Sequence, residues 1–375
     1  MRLTRRLHFI KITVLLGLLC SIIFSYKLWA GVRYFPKAPF LSDIPSIAAP
    51  YDYLFIFLLI LLIFISFFYQ HRMPIFLLLL ILIYLCIDDQ NRLQAWVLDY
   101  TLILFLFLFY KNRVGDTKNY YSTFTMIQIV LASIYIFSGL QKFNVHFTDE
   151  VLNLIQISFG KHLSLRQINL LLKVSHTIPY LEILVGIGLL IKSLRYIAIP
   201  IALSMHILLL LFGSQFDIVN FLVYGPWNIV MMPLILLAFL KVKKENYFDV
   251  SIIFKNVLFY VVITLMFIFP IFSFNNKYDS FLSSALYSGN LHRGNLVLTH
   301  KSYHKLPIYI KQFVTKHHDY YILDIKKWAV SELKSPCLPE YRVFESVQDY
   351  VLFITKTNSE DVNLNFIERE KIVNF

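Results

Sequence analysis

The chain is poor in charge, in cysteine and in glycine. Asp, Glu, Lys and Arg make up only 15% of its 375 residues, with three cysteines and 11 glycines. So little charge beside 58% hydrophobic residues excludes a soluble globule, because no core of this size hides that much apolar surface from water. A bilayer solvates such surface, and the mean hydropathy of +0.63 fits one. Cys20, Cys86 and Cys337 lie far apart, the first two in apolar runs, so neither a disulfide framework nor a cysteine metal knot follows. Soluble-enzyme signatures are missing as well: no phosphate-binding loop, no G-x-G-x-x-G, no G-x-S-x-G and no H-E-x-x-H. The net charge of +12 does not signal nucleic acid, since the cations sit in short loops and in the C-terminal tail and form no basic stripe.

What the chain does have is apolar runs. Spans are expected at 9–29, 51–69, 74–87, 96–110, 124–142, 177–191, 195–213, 217–240 and 252–273. The third and fourth are short, consistent with tilt or with a re-entrant element around Asp88–Gln94. The first run, Phe9 to Ala30, is too long for a signal-peptide core and reads as a retained helix. Lysines and arginines set the orientation. With the N-terminus in the cytoplasm, the inner loops carry Arg2, Arg5 and Arg6, then Arg72, then Lys111, Arg113 and Lys118, then Lys192 and Arg195, then Lys241, Lys243 and Lys244. That places Asp88–Gln94, the 142–176 segment and the tail outside. The 142–176 segment is expected to hold an interfacial helix, Asn153–Val174.

Beyond residue 273 the composition turns to that of a small α+β domain, with strands expected at Asn295–Thr299, Tyr320–Ile325 and Asp349–Thr355 and a helix near Leu306–Thr315. The expected fold is an all-α polytopic membrane protein of about nine transmembrane helices, residues 1–273, with an α+β extracytoplasmic tail, residues 274–375. Its first partner is the lipid bilayer, and no nucleic acid is expected.

Polar groups at membrane depth cost several kcal/mol unless paired or wetted, so each is a candidate site and also a candidate structural pair. Asp88, Asp89, Gln90, Arg92, Gln94 and Trp96 form one dense cluster, with Asp99 a helical turn further on. They read either as Asp–Arg staples of two helix ends or as the rim of a head-group pocket. Lys142 ends the fifth run after Ser138 and Gly139, and either snorkels to the interface or sits as a base in an apolar pocket. Glu182 and His206, on the next two runs, either pair with neighbours or relay protons. Tyr224-Gly225-Pro226-Trp227-Asn228 interrupts the eighth run, where Gly-Pro frees backbone carbonyls, and Asn220 adds an amide at similar depth. His317-His318 is a weak metal cue, because neighbours on a strand point apart, and no metal is expected.

Tyr135-Ile136-Phe137-Ser138-Gly139-Leu140-Gln141-Lys142-Phe143-Asn144 resembles the segment of vitamin K-dependent γ-carboxylases that carries their catalytic lysine, and Lys142 takes that place. Gln141 stands at the first of the family's paired lysines, and Asn144 where the family has an acid. The order of Asp88 to Val97, Met205-His206, Asn220 to Asn228 and Tyr278 to Asn290 is similar to the bacterial relatives known as the horizontally transferred transmembrane (HTTM) domain. The resemblance implies a bacterial inner-membrane location and a carbon–carbon lyase or carboxylase with coupled quinol epoxidation. Its cofactor would be a reduced naphthoquinone of the vitamin K type, with O2 and CO2 as co-substrates. Lys142 would deprotonate the quinol, and oxygen chemistry would then supply a base strong enough to remove a proton from a substrate carbon. Asp89, Arg92, Gln94, Trp96, Glu182, His206, Asn220, Trp227 and Asn228 would line the pocket. The histidine that the carboxylases carry in the segment matching Gln94–Trp96 has no counterpart there. The short tail points away from a propeptide-bearing protein client, toward a lipid, a quinone or a small peptide. A non-enzymatic protein that binds lipid or quinone, or scaffolds a partner, is the alternative. A transporter is the weaker third, as no repeated pair of broken spans is seen.

Overall fold

The computed structural model describes residues 3–41, 46–110, 117–159, 163–214, 218–240 and 254–371. Among them, five helices are long and apolar enough to cross a membrane: Arg5–Phe24, Tyr51–Phe68, Lys118–Gln141, Leu165–Leu190 and Val257–Asn275. Four shorter apolar helices lie at Met73–Asp88, Ala95–Phe109, Arg195–Leu211 and Gly225–Phe239. In chain order the elements are α1 (Leu3–Phe24), α2 (Tyr51–Phe68), α3 (Met73–Asp88), α4 (Ala95–Phe109), α5 (Thr117–Gln141), α6 (His146–Phe159), α7 (Leu165–Ser175), α8 (Ile178–Leu190), α9 (Arg195–Ser214), α10 (Ile218–Phe239) and α11 (Val257–Ile263). A π-helical turn, Thr264–Ile268, carries α11 on into Phe269–Phe272.

α5 is the hub. It is buried along most of its length, while α2 and α8 turn much of their surface outward, with Phe57, Phe68, Tyr180 and Leu184 all more than half exposed. α5 and α8 approach closely because two glycines let them. A Cβ on Gly139 would stand 2.6 Å from the Pro179 carbonyl oxygen, and one on Gly186 would stand 2.8 Å from that of Ala132. The expected interfacial helix Asn153–Val174 is instead two helices, α6 and α7. α7 is started afresh by Ser164, whose hydroxyl accepts from the Gln167 amide N–H while the Gln167 side chain accepts in return.

The tail is a four-stranded antiparallel sheet with helices on one face. Its elements are β1 (Arg293–Leu298), α12 (His300–Lys305), α13 (Ile308–Lys311), β2 (Val314–Lys316), β3 (Tyr321–Asp324), α14 (Ile325–Leu333), α15 (Tyr341–Thr355) and β4 (Val362–Ile367). The strand order is β2-β3-β1-β4, with Leu296 of β1 opposite Leu323 and Leu364. Asp349–Thr355, expected as a strand, lies within α15. Val343, Phe344, Val347 and Val351 recur at helical spacing and are buried on one face. The helix expected near 306–315 is one turn, α13, after Pro307, and β2 has begun by Val314. β4 was not expected, although Val362-Asn363-Leu364-Asn365-Phe366 alternates apolar and polar as an edge strand does.

The tail is fastened to the loop after α1 and to the α3–α4 turn by hydrogen bonds and ring contacts. The Glu332 carboxylate accepts the Phe35 N–H at 2.9 Å, the Tyr34 N–H and the Trp328 indole N–H at 2.9 Å. Tyr34 stacks on Tyr309 and Phe35 meets Trp328 edge-on. Arg342 bridges Gln90 and Asp279. Beside it, Glu340 accepts from the Ser280 N–H at 2.9 Å and the Ser280 hydroxyl, and faces His292 at 3.7 Å. His292 Nδ1 accepts from the Arg369 N–H, which leaves its proton on Nε2, toward Glu340.

Burial, with Arg369 nearby, pulls His292 down to about 4, and burial with Asp279 nearby holds Glu340 above the ordinary carboxylate range. Between pH 6.5 and 4 the unfolded histidine takes a proton that the folded one refuses, so stability falls as pH drops through that window. Glu340 works the other way, because the folded state takes up its proton first. We expect a net loss on the order of 2 kcal/mol from pH 7 to pH 4.5, most of it absent in His292→Asn. Denaturation in micelles followed by tryptophan fluorescence measures it, and equal pH dependence in the two proteins would remove His292 as the cause.

Candidate functional site

Tyr135, Ser138 and Lys142 follow one another at spacings of three and four, which puts them on one face of α5 and its last turn. That face looks into the junction with α8, α9 and α10. At its C-terminal end Lys142 is buried, and its ammonium donates to Glu182 Oε2 of α8 at 2.7 Å, to the Ser138 hydroxyl at 2.7 Å and to the Ser138 carbonyl at 3.1 Å. All three ammonium protons therefore have acceptors. The Phe147 ring lies 6.0 Å from the same nitrogen, and Phe143 meets Tyr180 edge-on at the exposed surface beside it.

Two turns back along α5, the Tyr135 hydroxyl is 2.5 Å from His206 Nε2 of α9, and His206 Nδ1 is 2.8 Å from Asn228 Oδ1 of α10. All three residues are buried. An amide oxygen only accepts, so Nδ1 holds the histidine proton, and the phenol donates to Nε2. Sequence reasoning picked out His206 and Asn228 and missed Tyr135. The signal was available, since Tyr135 stands seven residues before Lys142 and so shares its face. α10 runs unbroken through Pro226, which corrects the expected interruption at Gly225-Pro226. The side chain of Asn220 lies outside the described residues.

The Asp88–Trp96 residues form a second, separate cluster, buried and saturated by the protein. Arg92 donates to Asp88 at 2.9 Å and to the carbonyls of Leu28, Trp29 and Leu85. Asp88 also takes Lys37 at 2.9 Å, and Asp89 takes Arg33 at 2.6 Å together with the Ala38 N–H and the Asn91 amide. Gln94 donates to the carbonyls of Asn91 and Pro336, the second of which belongs to the tail. Arg33 and Lys37 come from a loop whose sequence carried no sign of them. Trp96 and Trp227 meet through Tyr100, at ring separations of 6.1 and 5.3 Å, beside a crevice under the tail with room for about one water. The structure thus joins Lys142 to Glu182 and His206 to Asn228, and sets Asp89, Arg92 and Gln94 apart as a staple of the 31–40 loop, the α3–α4 turn and the tail.

Removing one partner of a buried ion pair orphans the other, at a cost of about 3–5 kcal/mol. Lys142→Met and Glu182→Leu should each destabilise by that order, and the double variant by much less than the sum. A double-mutant cycle of thermal unfolding in micelles tests this, and strictly additive losses would mean that the two charges do not depend on each other. Set against protein-family models, curated proteins and solved structures, the chain matches none of them.

Proposed function

We propose that the chain is a membrane-embedded, carboxylase-like enzyme of the HTTM kind in which Lys142 is the base that acts on a reduced naphthoquinone. The observation that carries the reading is a buried lysine held at 2.7 Å by Glu182 in an apolar layer. A base needs a free lone pair when its substrate arrives. Glu182 is the group placed to receive the ammonium proton, and moving that proton within the pair extinguishes both charges together. Exposed Tyr180 and Phe143, with Phe147 behind them, fit a flat apolar ring that enters from the lipid with its hydroxyl toward Nζ. When bound, the quinol would supply the oxygen-dependent chemistry that the chain's own side chains lack. Lys142 would take the proton from its hydroxyl, Ser138 would orient the amine, and the helix packing would exclude water. His206 and Asn228 meet the same face of α5 further along, at Tyr135. Asp89, Arg92, Gln94, Trp96 and Trp227 lie in the second cluster, where their role is to hold the outer end of the helices together.

The same proposal has about nine spans in a bacterial inner membrane, a cytoplasmic N-terminus and an extracytoplasmic tail, supported by five long and four shorter apolar helices and by the distribution of lysine and arginine. Complete satisfaction of the Lys142 protons favours a second reading, in which the pair only staples α5 to α8 and the protein binds lipid or scaffolds a partner. Oxygen uptake by purified protein given reduced menadione separates the two. We expect uptake that is lost, by about a hundred-fold or more, in a folded Lys142→Ala protein. A well-folded wild type that consumes no oxygen with several naphthoquinols would leave the staple reading standing. Orientation is checked separately: phosphatase fused after residue 375 should be active only if the tail is outside, and an inactive fusion would invert the topology.

A further inference from the structure

The tail carries a histidine pair that none of the foregoing uses. His300 and His304 stand four apart on α12, both exposed, with their Nε2 atoms 3.3 Å apart. Their ring centroids are further apart, at 4.3 Å, so the imidazoles lean together at their Nε2 edges. This is a long separation for an N–H···N hydrogen bond. It matches the bite of a metal: two nitrogens at about 2.0–2.1 Å from one ion, at a tetrahedral angle, lie about 3.3 Å apart.

The turn that presents them is braced. Thr299 caps α12 by accepting the Ser302 N–H, and its hydroxyl donates to Asp361 at 3.0 Å. Ser302 donates to the Asp361 carbonyl at 2.8 Å. His300 lies edge-on to Tyr321 and His304 edge-on to Tyr303, and the two tyrosines stack on each other at 3.9 Å. Both imidazoles are thus set against one rigid aromatic pair, which lowers the entropy lost on chelation. The neighbouring cation Lys301 is paired with Asp361 at 2.7 Å.

We propose that His300 and His304 form a surface chelate for a dication that prefers imidazole: copper(II) most tightly, then nickel and zinc. Calcium and magnesium, which want oxygen ligands, are not held. Among the described residues no third His, Cys, Asp or Glu joins the pair, so the remaining positions belong to water or to an incoming donor. The site is independent of the quinol reading, and its test needs no enzyme activity.

Untagged full-length protein in micelles, stripped of metal, is titrated with copper(II) and followed by electron paramagnetic resonance. We expect one copper per chain with two imidazole nitrogens. His300→Ala and His304→Ala should each leave one imidazole and weaken binding by about a hundred-fold, because the second ligand's advantage is intramolecular. His317→Ala and His318→Ala should change neither readout. Alanine favours helix and both positions are exposed, so folding is expected to survive. A second measurement uses the wild type alone: zinc should protect His300 and His304, read by mass spectrometry, from diethyl pyrocarbonate. Copper binding that survives the His300→Ala/His304→Ala double variant, binding that follows His317 or His318, or absence of protection would each overturn the proposal.

Discussion

An apolar layer offers no water, so a charged or strongly polar group that folds into it is costly unless it finds a partner in the protein. The arrangement of this chain follows from that constraint. Lys142 has one acid and one serine, and His206 has one phenol and one amide. Arg92 reaches three carbonyls and one carboxylate. Each set joins helices distant in sequence, so the pairings fix which helices are neighbours in a way that interchangeable leucines and phenylalanines cannot. Tight α5–α8 packing at Gly139 and Gly186 is what brings Glu182 within reach of Lys142, so backbone proximity and charge pairing each depend on the other.

The constraint also explains how the tail attaches. Glu332 and Gln94 direct side chains at backbone groups across the junction, and within the tail Asn290 exchanges two bonds with the backbone of Glu370. Bonds to backbone demand position more than identity, and at this junction they are joined by the Tyr34–Tyr309 and Phe35–Trp328 ring contacts. The Asp88–Gln94 segment lies at the centre, holding the 31–40 loop on one side and tail residues Pro336 and Leu338 on the other.

What could be read from the residues follows from the same physics. Lys142, Glu182, His206 and Asn228 stood out because ionisable and amide groups are rare in apolar runs, and those are the groups that pair. Arg33 and Lys37 were invisible, because a cation in a loop is ordinarily solvated and only the fold shows them paired with Asp89 and Asp88. α15 was misread because Val351 to Thr355 is apolar and rich in β-branched and aromatic residues over a short window, where periods of two and 3.6 are hard to tell apart. β4 was overlooked for the opposite reason, since its asparagines made a true alternation look like a loop.

Gln141 and Asn144, the two departures from the γ-carboxylase pattern beside Lys142, have a structural account. Gln141 donates to the Ser273 hydroxyl at 2.6 Å and to the Ser283 carbonyl, and Asn144 donates to the carbonyls of Gln141 and Ser288. Together they fasten the end of α5 to the segment that follows α11. A lysine at 141 would place a second cation in a buried position where the partners are a serine hydroxyl and a carbonyl, with no carboxylate to balance it. An acid at 144 would face two carbonyl oxygens with nothing to donate unless protonated. Neutral amides, which donate without adding charge, suit both positions. Their presence leaves Lys142 as the buried cation at this end of α5 and Glu182 as its counterpart.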